Sequence, residues 1–363
     1  MKAQLLLEII LTLAAVVVLP LGICLLFEPC YRYYMNSKID RGLTEDSYLV
    51  RGELCLGQCR VLELREKVDL SVIVPAFNEE QRLPQMLEET LSYFKSYAKE
   101  HSMSYEVLVV DDHSTDDTVE VVSGYVAREI DQAEAMSDCS DGECKTTSTN
   151  DMDGSLYTDI RILSLARNHG KGGAIRRGVL LSRGRFVLFA DADGASDIHD
   201  FGKLFDSLQK TMKPIRGFND NMGASFGSRA HLEKESVAKR TFVRTLLMKG
   251  FHMLVKLMVT DSIKDTQCGF KLFTRPTAKF LFSNLHMEGW SFDIELIFIA
   301  EKYGIPLSEV GVRWTEIEGS KLIQSRADLV KAAVFMARDI VCVRMAYLLS
   351  IWRVISVPSP LRH

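Results

Sequence analysis

The most suggestive chemistry in the chain is Asp191-Ala-Asp193-Gly194, which follows directly on the apolar run Phe186–Ala190. Two carboxylates one residue apart at a strand end can contact one divalent cation, directly or through water. Hard oxygen ligands suit Mg2+ or Mn2+, which would bridge a pyrophosphate and neutralise its leaving oxygen. A lone pair of this kind is common, but two further runs end the same way. Val110-Asp111-Asp112 places two acids where they can hold ribose hydroxyls or a nucleobase, although an Asp there also caps helices. Pro75-Ala-Phe-Asn-Glu79 would aim Asn78 and Glu79 into the same crevice, or simply make a turn and a helix start. Between these lies Arg167-Asn-His-Gly170-Lys171-Gly172-Gly173, followed by Arg176 and Arg177. Its glycines permit close backbone approach to an anion, and a helix N-terminus adds positive potential. It is neither a Walker A sequence nor GxGxxG, which removes support from ATPase and dehydrogenase readings.

Alternating elements must position these groups. Leu70–Pro75, Glu106–Val110, Ile160–Leu165 and Phe186–Ala190 are short apolar runs and predict strands. Glu79–Lys99, Asp116–Ile130 and Gly173–Ser182 have helical periodicity between them. This rhythm predicts βαβ units: an α/β, Rossmann-like, mostly parallel sheet with helices on both faces. Ligands of such sheets bind outside the carboxyl ends of the strands, where all the acids fall. Asp131–Asp159 breaks the rhythm. Rich in Asp, Ser, Thr and Gly, it predicts a solvated, disordered insertion.

The composition bounds the rest. The chain has 363 residues, 47% hydrophobic and 25% charged, enough for a full core. A net charge of -4 argues against a general nucleic-acid binder. The eight cysteines include no CxxC pair and are expected to be reduced. Ile9–Phe27 carries no charge and is long enough for the roughly 30 Å of a bilayer core, so residues 1–30 are expected to anchor the chain in a membrane. A cleaved signal peptide would have a shorter apolar region and a small-x-small site after it. Arg32, Lys38 and Arg41 follow the span against Lys2 before it, which puts the bulk of the chain on the cytoplasmic side. Thr241–Thr260 and Ala327–Val357 each combine an apolar face with basic residues. They fit helices lying in a membrane interface, and equally fit amphipathic helices packed on the sheet.

Together VIVPAFNEE, VLVVDDHSTDDT, GKGGAIRRG and FADADG resemble the family-2 inverting glycosyltransferases of GT-A fold. The segments GSRAHLEKES, RTLLMKGFH, DTQCGFKLF, WSFDIEL and WTEIEGSK narrow the resemblance to members that charge dolichyl phosphate with a sugar. It runs from about Val68 to Trp352. It implies transfer of glucose from UDP-glucose to dolichyl phosphate, with inversion, for N-glycan precursor assembly in the endoplasmic reticulum membrane. The implied organisation is an anchor (1–30), a juxtamembrane linker (31–67), a GT-A domain (68–325) and C-terminal interface helices (326–363). By resemblance Pro75, Glu79 and Asp112 contact the nucleotide with Asp111 in support, and Lys171 and Arg176 lie near the donor phosphates. Asp191 and Asp193 hold the metal, Mg2+ or Mn2+. Arg229 and Arg244 bind the acceptor phosphate, or make surface salt bridges. Ser320 and Lys321 belong to a loop that closes over the donor, and Gln267, Cys268 and Phe270 shape the acceptor pocket. The insertion departs from the family pattern, and so does His113, where the family commonly has Gly.

Most inverting transferases need a base to deprotonate a hydroxyl. A phosphate monoester, with a second pKa near 6, is already anionic at neutral pH and needs none. Three readings compete. The same scaffold could use GDP-mannose or UDP-N-acetylglucosamine. A hydroxyl-acceptor polysaccharide synthase would add a carboxylate base and further spans. A degenerate transferase could serve as a non-catalytic membrane scaffold.

Overall fold

The computed structural model describes residues 19–40, 47–50, 53–56, 68–137, 158–218, 220–231, 253–259, 262–315 and 326–355, with Gly250 and Ile317. Most of the expected anchor, and most of Thr241–Thr260, lie outside the described residues. Among those described, no helix is long and apolar enough to cross a membrane.

Four runs of apolar and β-branched residues make the centre of the sheet: β3 (Val68–Ala76), β4 (Tyr105–Asp111), β5 (Thr158–Ser164) and β6 (Gly184–Ala190). They lie parallel in the order β6-β3-β4-β5. Antiparallel strands extend both ends: β1 (Ser47–Val50) and β2 (Glu53–Leu56) beyond β5, β10 (Phe270–Thr274) beyond β6. β9 (Ala224–Ser228) and β11 (Leu307–Gly311) complete a nine-stranded sheet in which only β1 and β10 run against the rest. The short pair β7 (Lys213–Pro214) and β8 (Asn221–Met222) stands apart.

The chain steps outward from β3 to β4 and β5, then returns to place β6 on the other side of β3. That reversal opens a crevice between two neighbouring strand ends, the position where open α/β sheets bind ligands.

Side chains alternate across the sheet, and each face has its own core. Leu70, Val72 and Val74 of β3 pack with α3 (Leu83–His101), α4 (Thr118–Ser137) and α6 (Phe201–Thr211). Ile73 faces α5 (Lys171–Leu181), α7 (Arg275–Ser283), α8 (Phe292–Lys302) and α9 (Arg326–Leu348). Helix α5 lies close because Gly178 has no side chain; a Cβ there would come within 2.6 Å of Ile73 and Val110.

Three expectations need correction. Helix α3 starts at Leu83, four residues later than the periodicity predicts, for reasons found in the loop before it. Helix α4 continues to Ser137 and β5 begins at Thr158, so both intrude on the supposed insertion, whose middle lies outside the described residues. Among the described C-terminal residues there is one helix, α9, and its Ile340, Cys342, Val343 and Ala346 are buried in the protein. It also holds the N-terminal helices α1 (Leu19–Leu26) and α2 (Glu28–Asp40): Arg338 pairs with Glu28 at 3.0 Å. The packed amphipathic reading is therefore correct for that face of α9, while Val334, Phe335 and Leu348 remain exposed.

Candidate active site

Two loops interlock at the ends of β3 and β4. Asn78 takes the left-handed conformation (φ 56°), which Asn tolerates better than most residues. Its N–H donates to Ser114 Oγ (2.9 Å) and its Oδ1 accepts from the Thr115 N–H (2.7 Å). The Glu79 N–H donates to Thr118 Oγ1 (2.8 Å) and the Glu80 N–H to Asp116 (3.3 Å). The Glu79 carbonyl accepts from the N–H groups of both Arg82 (3.1 Å) and Leu83 (2.9 Å), so a tight turn over residues 80–82 comes first and regular helix begins only at Leu83. The Glu79 carboxylate pairs with Arg82 (2.5 Å), and Pro75 is half-buried at the end of β3.

Asp111 and Asp112 are both buried. Asp111 Oδ1 accepts from the Ser114 N–H (3.1 Å). Asp112 accepts from the His169 N–H at Oδ1 (2.7 Å) and from the Gly170 N–H at Oδ2 (2.8 Å). Burial pushes its carboxyl up to about 6, against the pull of those two backbone donors and of Arg177. Asp112, expected on the nucleotide, uses both oxygens to fix the glycine-rich loop. His113, at the family's glycine position, has φ 66°.

That loop delivers Lys171, the first residue of α5, to the carboxylates after β6. Lys171 Nζ lies 2.6 Å from Asp191 Oδ1 and 5.2 Å from the centre of the Trp290 ring. Burial disfavours its charge, but Asp191 and Asp293 outweigh that and raise its pKa. Asp193 is half-buried and its Oδ1 accepts from the Ala195 N–H (3.0 Å). Behind Asp191 stands Gly269, whose carbonyl accepts the Asp191 N–H (3.2 Å). A Cβ at Gly269 would lie 1.9 Å from Asp191 Oδ2, so only glycine leaves room for that carboxylate.

A second ammonium lies deeper. Lys271 is fully buried between the rings of Phe189 and Phe226 and donates to Cys268 O (2.5 Å) and Asp293 Oδ1 (2.8 Å). Asp293 belongs to the first turn of α8, whose helix N-terminus favours an anion. Burial raises its pKa although both lysines oppose the rise. Glu295, two residues on in the same first turn, accepts from the Met287 N–H (2.6 Å) and the Tyr347 hydroxyl (2.8 Å). It thereby ties the segment carrying Trp290 to α9.

The remaining predicted residues divide. Arg229, at the end of β9, donates through Nε and an Nη to both oxygens of Asp265 (2.7 and 2.9 Å) and lies 5.5 Å from the Trp314 ring. Trp314 is bridged to Ser196, so Arg229 reaches the loop that follows the paired aspartates. Gln267 Nε2 is buried with no hydrogen-bond partner among the described residues. Cys268 and Phe270 are buried beneath it. Arg176 is turned away from the carboxylates: its Nε donates to Phe282 O on α7 (3.0 Å), and its guanidinium stacks 5.9 Å from Tyr33. Arg177, one residue on, supplies the positive charge near Asp112 instead. Arg244, Ser320 and Lys321 lie outside the described residues. Sequence reasoning missed Asp265, Gly269, Lys271, Trp290 and Asp293. All lie in the segments DTQCGFKLF and WSFDIEL, which carried a resemblance but no local chemical motif.

The two acids fit a divalent cation of the magnesium kind. No cluster of three or more His, Cys, Asp or Glu suited to a metal occurs among the described residues. Mg2+ is commonly held by one or two carboxylates plus substrate phosphates and water, so a pair of oxygen ligands with space kept by glycine is a sufficient protein contribution.

The model of glycosyl transferase family 2 matches residues 71–134 and 136–279. A dolichyl-phosphate beta-glucosyltransferase of Drosophila melanogaster is 46% identical over 297 residues, 82% of this chain and 80% of that protein. The protein of the same name from Homo sapiens is 44% identical over 285 residues, covering 78% and 77% of the two chains. Among solved structures, glucosyl-3-phosphoglycerate synthase from Mycobacterium tuberculosis in complex with UDP overlays with a TM-score of 0.45 at 17% identity, covering 78% of this chain and 85% of that one.

Proposed function

The chain belongs to glycosyltransferase family 2, among the dolichyl-phosphate β-glucosyltransferases, and from that premise we propose that it transfers glucose from UDP-glucose to dolichyl phosphate. The observation that carries this is the identity of 42–46% with three relatives of that name over about four-fifths of the chain. The product would be the lipid-linked glucose used in N-glycan precursor assembly.

The geometry supports a single displacement with inversion. The acceptor phosphate is already an oxyanion, so no side chain has to remove a proton from it. Arg229, held at two nitrogens by Asp265 and partly exposed, would orient that phosphate, and the unpartnered Gln267 Nε2 would give it a further donor. The loop fixed by Asp112 would bring backbone N–H groups and Lys171 to the donor diphosphate. Asp191 and Asp193 would hold a Mg2+ or Mn2+ ion, which when bound neutralises charge on the departing diphosphate. Positioning of two anionic reactants in line then accounts for much of the rate.

The same reading has the enzyme on a membrane. Exposed Ile23, Leu25, Val334, Phe335, Leu348 and Ile355 on α1, α9 and the segment after it support contact with a bilayer. The basic residues after the apolar N-terminal stretch support a catalytic domain on the cytosolic side, and the family supports placing that membrane in the endoplasmic reticulum. Protease digestion of sealed microsomes should therefore degrade the domain without detergent; protection would reverse the orientation.

The deciding experiment offers dolichyl phosphate with UDP-glucose, GDP-mannose or UDP-N-acetylglucosamine, in Mn2+, Mg2+ or EDTA. Metal-dependent transfer from UDP-glucose alone is expected, lost in Asp193→Ala with the fold intact. Transfer from GDP-mannose instead would replace the donor assignment, and undiminished activity in EDTA would remove the metal.

A further inference from the structure

Lys171 occupies an unusual place. It opens α5, where the helix dipole disfavours a cation, yet its ammonium sits 2.6 Å from Asp191 Oδ1, with side-chain exposure of only 14%. The same ammonium feels Asp293 and Asp193 as well. Lys271 is already committed to Asp293 (2.8 Å) and to a carbonyl, with no exposure to solvent. Three carboxylates thus face two ammonium groups, which leaves one net negative charge at the site.

A divalent ion held through Asp191 Oδ1 and Asp193 would meet the Lys171 ammonium ion-paired with that same Asp191 oxygen. The two cations would compete for one lone-pair region at under 3 Å, in a place poorly screened by water. Entry of the metal alone would also take the local charge from one negative to one positive. A nucleoside diphosphate removes both difficulties, because it brings negative charge for the metal and a new partner for the displaced lysine.

We propose that Lys171 is a built-in counter-ion that guards Asp191, and that it must leave this carboxylate for a divalent cation to enter. It then turns to the donor diphosphate, with Asp293 beside it. Metal and nucleoside diphosphate therefore bind synergistically, and each binds weakly alone. This rests on the reading of Asp191 and Asp193 as metal ligands. It concerns the order and coupling of binding, which that reading leaves open.

The test is Mn2+ binding to the purified full chain in detergent, followed by electron paramagnetic resonance of the free ion, with and without UDP. In the unmodified protein UDP should tighten Mn2+ binding strongly. In Lys171→Met, Mn2+ without UDP should bind about tenfold or more tighter, because no ion pair has to break, and the further gain from UDP should shrink. Lys171→Arg keeps the charge and should stay within about threefold of the unmodified protein. Unchanged Mn2+ affinity in Lys171→Met, or an equal gain in both variants, would overturn the guard. Asp191→Asn binding Mn2+ as tightly as the unmodified protein would instead overturn the underlying metal assignment.

Discussion

Replacing Gly269 with Ala isolates one carboxylate of the site without touching any polar group. The added Cβ would stand 1.9 Å from Asp191 Oδ2 and 2.2 Å from its carboxyl carbon. An ordinary carbon–oxygen contact is about 3.4 Å, so something must move by roughly 1.5 Å. The backbone of residue 269 has little freedom to retreat. Its carbonyl accepts the Asp191 N–H, and the next residue, Phe270, is in register with Ala190 across β10 and β6. The half-exposed side chain of Asp191 is the easier part to displace, and its swing also breaks the 2.6 Å pair with Lys171.

A displacement of about 1 Å at a reacting centre can cost on the order of 10²-fold in rate. Gly269→Ala should accordingly lower kcat/KM for glucose transfer to dolichyl phosphate by about a hundredfold and weaken Mn2+ binding in the presence of UDP. Overpacking of this size costs roughly 1–3 kcal/mol, a loss that a domain of this length survives. The assay pairs initial rates with thermal unfolding, so that lost activity is separated from lost fold. Activity within threefold of the unmodified enzyme would show that Asp191 can be displaced without consequence. Its role as a metal ligand would then be refuted together with the steric reasoning.

Three further outcomes follow from groups around the crevice. A carboxyl raised to about 6 by burial binds its proton more tightly folded than unfolded, so its contribution to stability falls as pH rises from about 4 to 6. The stability of the unmodified protein relative to Asp112→Asn should thus drop by roughly 2 kcal/mol over that range in urea titrations; a flat or rising difference would contradict the burial argument. His113 holds φ 66° with an exposed side chain, so His113→Gly relieves left-handed strain and should raise stability by up to about 1 kcal/mol, read from the urea midpoint. Loss of stability there would mean that the imidazole makes a contact worth more than the strain. Arg176→Ala removes the bond to Phe282 O and should lower Tm by a few degrees while kcat and the KM for UDP-glucose stay within threefold. A tenfold rise in that KM at unchanged Tm would return Arg176 to the donor site.

The central strands are legible in the sequence because each is buried on both faces, which turns it into a short continuous apolar run between polar loops. β4 is buried along its whole length. The boundaries are less legible where loops from different strands bind one another. Glu79 looks like the start of a helix because the apolar periodicity begins there. Yet Asn78 before it is left-handed to meet Ser114 and Thr115 some 36 residues away, and a turn over residues 80–82 delays the regular helix. β9 and β10 escape periodicity altogether: five residues each, buried on both faces, with a lysine inside β10 that Asp293 and the Cys268 carbonyl make tolerable.

The same contrast separates the chemistry that could be read from the chemistry that could not. Asp111, Asp112, Asp191 and Asp193 come as sequence neighbours, and an apolar run before each pair announces a strand end. The groups that discipline them come from elsewhere in the chain: Gly269 lies 78 residues after Asp191, and Asp293 lies 22 residues after Lys271. These partners meet only because β10 folds back antiparallel against β6 and presents its first residues beside the Asp191 loop. A motif can therefore show which atoms a site uses, whereas their freedom is set by strands that cross from another part of the chain. Here the crossing strand restricts Asp191 twice. Its leading glycine makes room for the carboxylate, and its buried lysine satisfies Asp293, so that Lys171 is left as the ammonium nearest Asp191.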